Sequence, residues 1–336
     1  RRFAGPYLMN TLRNLPVIFQ AADVAQLFRQ FAGMPAILVA AGPSLDQNMA
    51  GLEVGRDHAL VIATDTATGP LLAVGIQPDL VVAVDPQELN ARHLRNLPAG
   101  PGTYLVAEGS LDPTAFSGFV DRTFVFQVSN HHPWPWLRST GIERGRLRAW
   151  GSVLISAFDL ALELGCDPIV FVGADLAYTD KRPYCRGTIF EIPWAEAVAE
   201  GSSLPDIWSS ILASESTIAV ADLSGTDNWT CARLVAFRDW IRSESEGWQA
   251  RRIVNATGRG ILHGGAIVQA PIVDALRGAP ACRQVIQNTL RKVSQPRMTS
   301  DTTRAAFASG LSTVHSTIVD EWCRFTAGTV TPDEIV

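Results

Sequence analysis

Three uninterrupted apolar runs between residues 35 and 86 dominate the hydrophobic pattern of this chain. AILVA precedes a Gly-Pro-Ser turn at residues 42–44, ALVIAT ends at Asp65, and DLVVAV ends at Asp85. Continuous apolar runs of this length are typical of strands that are buried on both faces. Because ligands of open α/β sheets bind beyond the carboxyl ends of the strands, we expect Gly42, Ser44, Asp65 and Asp85 to meet in one crevice.

Helical and strand patterns alternate through the rest of the central region. GTYLVAE, RTFVFQVSN, DPIVFVG and RRIVNAT have strand character, whereas SVLISAFDLALELG is a helix pattern that stops at Gly165. Strands alternating with helices indicate βαβ units. We therefore predict an α/β fold with a Rossmann-like, mostly parallel sheet and flanking helices. We also predict a loop over residues 181–205 and a helix over residues 229–244.

The two ends of the chain have helical patterns, and the predicted organisation follows from them. We predict an N-terminal helical segment (1–33), a central nucleotide-sugar-binding catalytic domain (34–270) and a C-terminal helical segment (271–336).

Composition agrees with a globular protein and limits its partners. The 336 residues are 47% hydrophobic and 18% charged, which excludes a disordered chain. The net charge of -5 argues against binding of nucleic acid. Apolar runs fall short of the roughly 20 residues that span a membrane. Five separated cysteines without a CxxC pair predict reduced thiols, a cytoplasmic protein and no metal site.

The Gly-Pro-Ser turn and the two aspartates are the first candidates for ligand binding. Gly42 lets a ligand approach the backbone, and the helix after Ser44 offers free N–H groups to a phosphate. The alternative is a tight turn without a ligand. Asp65 and Asp85 are expected to recognise a ribose or a base, although a helix cap is an alternative for Asp65, which precedes Thr66.

A polar loop and two histidines are the other candidates. GADLAYTDKRPYCRG places Tyr178 and Tyr184 beyond a strand end, where phenol hydroxyls and nearby cations suit a phosphate leaving group. A solvated surface loop is the alternative. His131, which follows Asn130 at a strand end, and His263 in GRGILHGG are candidates for a general base or for structural hydrogen bonding.

Six motifs in a fixed order resemble one protein family. They are NLPVIF, PAILVAAGPSLDQN, GIQPDLVVAVDP, a helix led by Gly151 and Ser152, VGADLAYTD and VNATGRGILHGG. Over residues 8–270 this set resembles the central domain of the bacterial motility accessory factor (Maf) proteins of the DUF115 or MptE-like superfamily. The GPSL turn and the tyrosine pair are also similar, more weakly, to bacterial sialyltransferases with a variant GT-A fold.

The resemblance to Maf proteins implies an activity and its substrates. It implies a flagellin glycosyltransferase that moves a nonulosonic (sialic-acid-like) sugar from a CMP donor to Ser or Thr, with no cofactor and no metal. The similarity to sialyltransferases implies that Tyr178 and Tyr184 hold the donor phosphate. The expected nucleotide- and donor-binding residues are Gly42, Pro43, Ser44, Asp65, Thr66, Asp85, Asn130, Gly151, Ser152, Gly173 and Asp175.

The sequence departs from the sialyltransferase pattern at the catalytic base, and this leaves other functions open. The matching segment, LSGTDNWTCARL, contains no histidine, so Asp227, His131 and His263 are the candidate bases. The superfamily also contains archaeal pterin pyrophosphokinases, which have an acidic cluster where this chain has Asp85-Pro86-Gln87-Glu88. One alternative is therefore a 6-hydroxymethylpterin pyrophosphokinase-like enzyme that uses ATP and Mg, and another is a non-catalytic scaffold that binds flagellin.

Overall fold

The computed structural model describes residues 4–95, 97, 100–128, 133–248, 250–296 and 300–326. Within these ranges, nine strands form one sheet and two more form a hairpin. The sheet strands are β1 (Ala22–Asp23), β2 (Ala36–Val39), β3 (Leu60–Thr64), β4 (Leu80–Ala83), β5 (Tyr104–Glu108), β6 (Thr123–Phe126), β7 (Ile169–Val172), β10 (Ile253–Asn255) and β11 (Val268–Gln269). The hairpin strands are β8 (Ile218–Ala221) and β9 (Asp227–Thr230).

Helices precede, follow and connect these strands. They are α1 (Ala4–Arg13), α2 (Leu15–Gln20), α3 (Leu45–Gly55), α4 (Asp65–Ala73), α5 (Glu88–Ala91), α6 (Trp134–Ser139), α7 (Val153–Leu164), α8 (Glu191–Ala199), α9 (Leu204–Ser214), α10 (Ala232–Gly247), α11 (Ile272–Ala275), α12 (Arg283–Val293) and α13 (Asp301–Thr326). Short 3₁₀ turns cover Val24–Leu27, Pro113–Phe119 and Thr179–Lys181. Within the described ranges, no helix is long and apolar enough to cross a membrane.

The strand order confirms the predicted α/β fold and locates its crevice. The order is β1-β6-β5-β4-β3-β2-β7-β10-β11, and the neighbouring strands pair in parallel. Strands β3, β4, β5 and β6 follow β2 in sequence and are added one after another on the same side of it. The next strand, β7, pairs with the other side of β2. The order therefore reverses between β2 and β7, and this switch point is where open α/β sheets bind ligands.

Burial on both faces explains the uninterrupted apolar runs. Leu38 and Ile62 pack with Phe158 of α7 on one face of the sheet, whereas Ile37 and Val61 pack with α3 and α4 on the other. Each such side chain removes enough apolar area from water to contribute about 1.5–3 kcal/mol. As predicted, α7 stops before Gly165, which follows the last helical residue and whose φ of 85° suits a residue without a Cβ atom.

Three local predictions were wrong. The segment predicted as a loop contains α8, whose Pro193 lies in the first turn, where a helix loses little when the N–H is absent. The helix predicted from residue 229 begins at Ala232 because Trp229 belongs to β9. The N-terminal segment is not wholly helical, since β1 pairs with β6 at the edge of the sheet. The division of the chain at residues 33 and 270 stays a prediction.

Candidate functional site

A cavity of about 330 Å³ lies at the carboxyl ends of β2, β3, β4 and β7, and we call it the central cavity. Residues that the sequence singled out line much of its wall. They are Gly42, Asp65, Thr66, Asp85, Gly151, Ser152, Gly173, Asp175, Tyr178 and Tyr184. The fold thus gathers into one space residues that are up to 142 positions apart in the chain.

The N-terminus of α3, predicted to bind phosphate, has an internal partner instead. The Ser44 hydroxyl donates to Asp175 Oδ2 at 2.6 Å, and the Ser44 N–H donates to the same carboxylate at 3.3 Å. The Gly42 N–H donates to the Gly173 carbonyl oxygen at 2.9 Å, and Pro43 has no N–H. Asp175, which is 1% exposed, therefore takes the position at the positive end of α3 that an anionic ligand would occupy.

Close packing between the ends of β2 and β7 explains two of the glycines. A Cβ atom at Gly42 would lie 2.5 Å from the Gly173 carbonyl oxygen and would also overlap the Asp175 carboxylate. Gly173 has a φ of 65°, and a Cβ atom there would meet the Ala40 carbonyl oxygen. Both glycines are thus required by the approach of two strand ends, whether or not a ligand binds.

The N-terminus of α7 faces the central cavity. Gly151, with a φ of 77°, and the extended Ser152 turn the chain into this 12-residue helix, and the Ser152 side chain does not cap it. Val153 and Leu154, which begin the helix, line the cavity. N–H groups in a first helical turn lack intrahelical partners and carry the positive end of the helix dipole. This end of α7 is therefore suited to an anionic group.

Two carboxylates lie side by side at the ends of β3 and β4. Asp65 is 3% exposed, and its Oδ1 accepts from the Thr66 N–H at 2.7 Å. Burial raises the pKa of Asp65 to about 7, and the nearby charge of Asp85 adds to this rise. Asp85 is half-buried, and its Oδ1 accepts from the Gln87 N–H at 2.9 Å. The site thus contains one carboxyl group that titrates near neutral pH beside a second carboxylate.

The two tyrosines are held by different contacts. The Tyr178 N–H donates to the Trp229 carbonyl oxygen at 2.7 Å, which ties the loop after β7 to the hairpin. Tyr184 stacks on Phe190 with ring centroids 4.6 Å apart. Burial raises the pKa of Tyr178 and of Tyr184. Both phenols therefore keep their protons at neutral pH and can donate hydrogen bonds.

Sequence reasoning missed an ion pair in the same wall. Arg233, in the first turn of α10, lies 3.0 Å from the Glu215 carboxylate, and both residues line the central cavity. The Arg233 side chain is 58% exposed, so part of its charge is available to a ligand. The sequence did contain one indication of a role for Arg233. This residue belongs to LSGTDNWTCARL, the segment in which the sialyltransferase pattern has its catalytic base.

Two of the three candidate bases, Asp227 and His263, lie outside the central cavity. Asp227 is an exposed residue of β9, and His263 Nε2 lies 3.2 Å from the Ala221 carbonyl oxygen beside the same hairpin. Neither residue lines the central cavity. Asn130 and His131 lie outside the described residues. The roles that the sequence suggests for these four residues therefore stay predictions. The carboxylates that line the central cavity are further candidates for a general base.

The described residues form no metal centre of His, Cys, Asp and Glu side chains, and a larger cavity lies away from the switch point. Among the residues that the structure describes, no three His, Cys, Asp or Glu side chains group as a metal site. A cavity of about 430 Å³ lies between α3 and α11, and its lining side chains are amides such as Asn48 and Asn255 together with aliphatic groups. The central cavity is smaller but holds the titratable groups, so it is the better candidate for chemistry.

Comparison with known proteins relates this chain to a family and a fold. A family model described as "6-hydroxymethylpterin diphosphokinase MptE-like" matches residues 9–181. An uncharacterized protein of Treponema pallidum (strain Nichols) is 30% identical over 133 residues, which cover 34% of this chain and 32% of that protein. The structure of a Maf glycosyltransferase from Magnetospirillum magneticum AMB-1 matches 83% of this chain with a TM-score of 0.60 and 18% identity. This chain spans 40% of that glycosyltransferase and about a third of the Treponema protein.

Proposed function

The chain belongs to the 6-hydroxymethylpterin diphosphokinase MptE-like family, and on that premise we propose that it is a metal-independent glycosyltransferase. It moves a nonulosonic sugar from a CMP donor to a Ser or Thr hydroxyl of flagellin or another protein acceptor, in the cytoplasm. The shared fold with a Maf glycosyltransferase supports this choice within the family. The observation that carries it is the convergence of anion-binding groups in the central cavity.

A CMP-nonulosonic acid has two negative groups, a phosphate diester and a sugar carboxylate, and the cavity offers a partner for each. We assign the phosphate to Tyr178, Tyr184 and Arg233, and the sugar carboxylate to the N-terminus of α7 at Ser152. We assign neither group to the N-terminus of α3, because the Asp175 carboxylate already accepts hydrogen bonds there. The nucleotide lies against the ends of β2 and β3, where the Asp65 carboxyl meets the ribose.

Departure of CMP increases the negative charge on its phosphate, and this is the charge that the site stabilises. The protonated phenols of Tyr178 and Tyr184 donate hydrogen bonds to the leaving phosphate, and the Arg233 guanidinium adds a positive charge. A donor whose ring is held in a partly buried wall, as that of Tyr184 is by its stacking on Phe190, needs little reorganisation during the reaction. These groups supply the stabilisation for which a divalent ion is otherwise used.

Release of CMP from a CMP-nonulosonic acid tests this assignment. Replacing both tyrosines by phenylalanine (Tyr178→Phe with Tyr184→Phe) removes two hydroxyls and keeps the rings. We expect the rate of CMP release to fall by about 10²–10³-fold, as for loss of hydrogen-bond donors at a developing anion. Tyr104→Phe, which alters a buried residue of β5, is the matched control. Unchanged release by the folded double variant would exclude the phosphate role.

A pterin pyrophosphokinase is the second candidate, because one observation favours it. Asp65 and Asp85 both line the central cavity, and paired carboxylates are ligands that suit Mg²⁺ bound to a nucleoside triphosphate. This function predicts Mg-dependent conversion of ATP to AMP in the presence of 6-hydroxymethylpterin. Formation of AMP by the wild-type protein, abolished by Asp85→Asn, would favour it over glycosyl transfer.

A further inference from the structure

A third cavity, of about 300 Å³, adjoins the central cavity, and we call it the side cavity. The two share Asp85, Gly151, Ser152 and Val153, which form the boundary between them. Beyond this boundary the side cavity is lined by Tyr7, Val84, Pro86, Gln87 and Ala149. A molecule that fills the side cavity therefore reaches the central cavity past Asp85.

The N-terminal helix forms one wall of this side cavity. The Asn10 side-chain amide donates to the Pro86 carbonyl oxygen at 2.9 Å, and this buried bond docks α1 on the turn after β4. Tyr7 lies about one helical turn earlier, on the wall of the cavity. Burial raises the pKa of Tyr7 to about 12, and the charges of Glu108 and Asp85 add to this rise. Asp85 thus acts electrostatically on Tyr7 in the side cavity and on Asp65 in the central cavity.

On the basis of the proposed function, we propose that the side cavity binds the acceptor and that Asp85 is the general base. The acceptor is a protein segment that carries a Ser or Thr hydroxyl. Aliphatic groups of Val84, Pro86, Ala149 and Val153 form much of the lining, and they suit apolar side chains that flank the hydroxyl. A sugar acceptor has a hydroxyl group on most of its carbon atoms, and each buried hydroxyl would need a hydrogen-bond partner. It therefore fits this largely aliphatic wall less well.

The strand order places the base and the leaving group at opposite ends of the central cavity. Across the switch point the order is β4-β3-β2-β7, with Asp85 after β4 and Tyr178 after β7. Three strand spacings of about 4.8 Å separate these ends by about 14 Å. An acceptor that enters past Asp85 therefore approaches the sugar from the side opposite the departing phosphate, which is the direction that a direct displacement requires.

The step is a proton transfer coupled to a displacement. The Asp85 carboxylate takes the proton of the acceptor hydroxyl while the acceptor oxygen forms a bond to the anomeric carbon. The bond between that carbon and the phosphate oxygen breaks, and its electron pair leaves with CMP. The proton on Asp85 then passes to water, which restores the carboxylate. When no protein acceptor is present, water takes the place of the hydroxyl in the same step.

Hydrolysis of CMP-N-acetylneuraminic acid tests the base without knowledge of the acceptor. We expect Asp85→Asn and Asp85→Ala to lower the rate of CMP release by about 10²–10⁴-fold, the usual contribution of a general base. Affinity for CMP, measured by calorimetry, should stay within threefold of the wild-type value. Asp121→Asn, at an exposed aspartate before β6, is the matched control and should match the wild type.

Azide separates a base from a merely structural aspartate. Azide attacks the sugar without losing a proton, so it should restore CMP release in Asp85→Ala to within tenfold of the wild-type rate, with formation of the glycosyl azide. Full CMP release by Asp85→Asn, or no rescue by azide, would overturn the role of Asp85. Failure of the wild-type protein to bind CMP or to release it would instead overturn the proposed function itself.

Filling the side cavity tests its occupant. Ala149→Trp places a large ring in the cavity, and we expect it to lower transfer to purified flagellin by at least tenfold. Ala305→Trp, on the exposed surface of α13, is the matched control and should transfer normally. Unchanged transfer by Ala149→Trp would overturn the acceptor site. An absence of transfer to flagellin by a wild-type protein that hydrolyses the donor would overturn the protein acceptor.

Discussion

Replacing Asp65 by asparagine should stabilise the protein, and the size of the effect depends on pH. The buried carboxyl accepts hydrogen bonds from Thr66, which an amide oxygen can also accept, but its charge has little access to water. Its pKa rises from an ordinary value of 3.8 to about 7. The native protein thus keeps a proton that the unfolded chain releases near pH 4, so native stability falls as the pH rises through this window.

The magnitude follows from the difference between the two pKa values. About three pKa units, at about 1.36 kcal/mol each, correspond to about 4 kcal/mol of lost stability once the pH exceeds 7. At about pH 5 the loss is only about 2 kcal/mol, because the native carboxyl is still protonated. The amide carries no charge at either pH. Asp65→Asn should therefore remove a pH-dependent loss of about 2–3 kcal/mol between about pH 5 and about pH 8.

Urea denaturation at the two pH values, without nucleotide, measures this difference. The free energy of unfolding of Asp65→Asn, relative to the wild type, should increase by about 2–3 kcal/mol from the lower to the higher pH. Asp121→Asn should show no such change, because that residue is exposed. An equal difference between Asp65→Asn and the wild type at both pH values would refute the assignment of a neutral, buried carboxyl group.

Three further predictions concern packing, a buried charge and a leaving group. Gly42→Ala should prevent stable folding or lower the melting temperature by many degrees, because the new methyl group would lie 2.5 Å from a backbone carbonyl oxygen; circular dichroism measures this. Arg283→Ala should cost about 3–5 kcal/mol in urea denaturation because it leaves the buried Asp79 without its cation, and a loss below 1 kcal/mol would contradict this. Arg233→Ala should slow CMP release, and Arg233→Lys should restore part of the rate if charge is what matters.

The sequence predicts the parallel sheet and its crevice because both depend on local patterns. Runs such as those around Leu38 and Ile62 are apolar throughout, and each ends at a residue that the fold brings to the switch point. The sequence does not predict that Asp175 caps α3, since Ser44 and Asp175 are 131 residues apart and their contact arises only when β2 and β7 pair. Local sequence patterns predict which residues end a strand, but they do not predict the hydrogen-bond partner of each residue in the folded protein.

The same limit explains the missed groups. Arg233 reaches the central cavity because the hairpin of β8 and β9 packs over the loop after β7. The hydrophobic pattern of either segment gives no indication of this contact. Tyr7 reaches the side cavity because Asn10 docks α1 on Pro86. A helical pattern at the N-terminus indicated α1 but not the surface that it covers. The sequence made His263 a candidate for a general base or for structural hydrogen bonding; its ring lies beside the Ala221 carbonyl oxygen, and its catalytic role stays a prediction.

The proposed function requires that the cavity at the switch point binds a CMP-sugar without a divalent ion. Titration calorimetry with CMP, CDP, UDP, GDP and ATP, each with and without Mg²⁺, measures this preference. We expect CMP to bind more tightly than the other nucleotides and equally well with and without Mg²⁺. Binding of ATP only with Mg²⁺, together with no heat of binding for CMP, would contradict it.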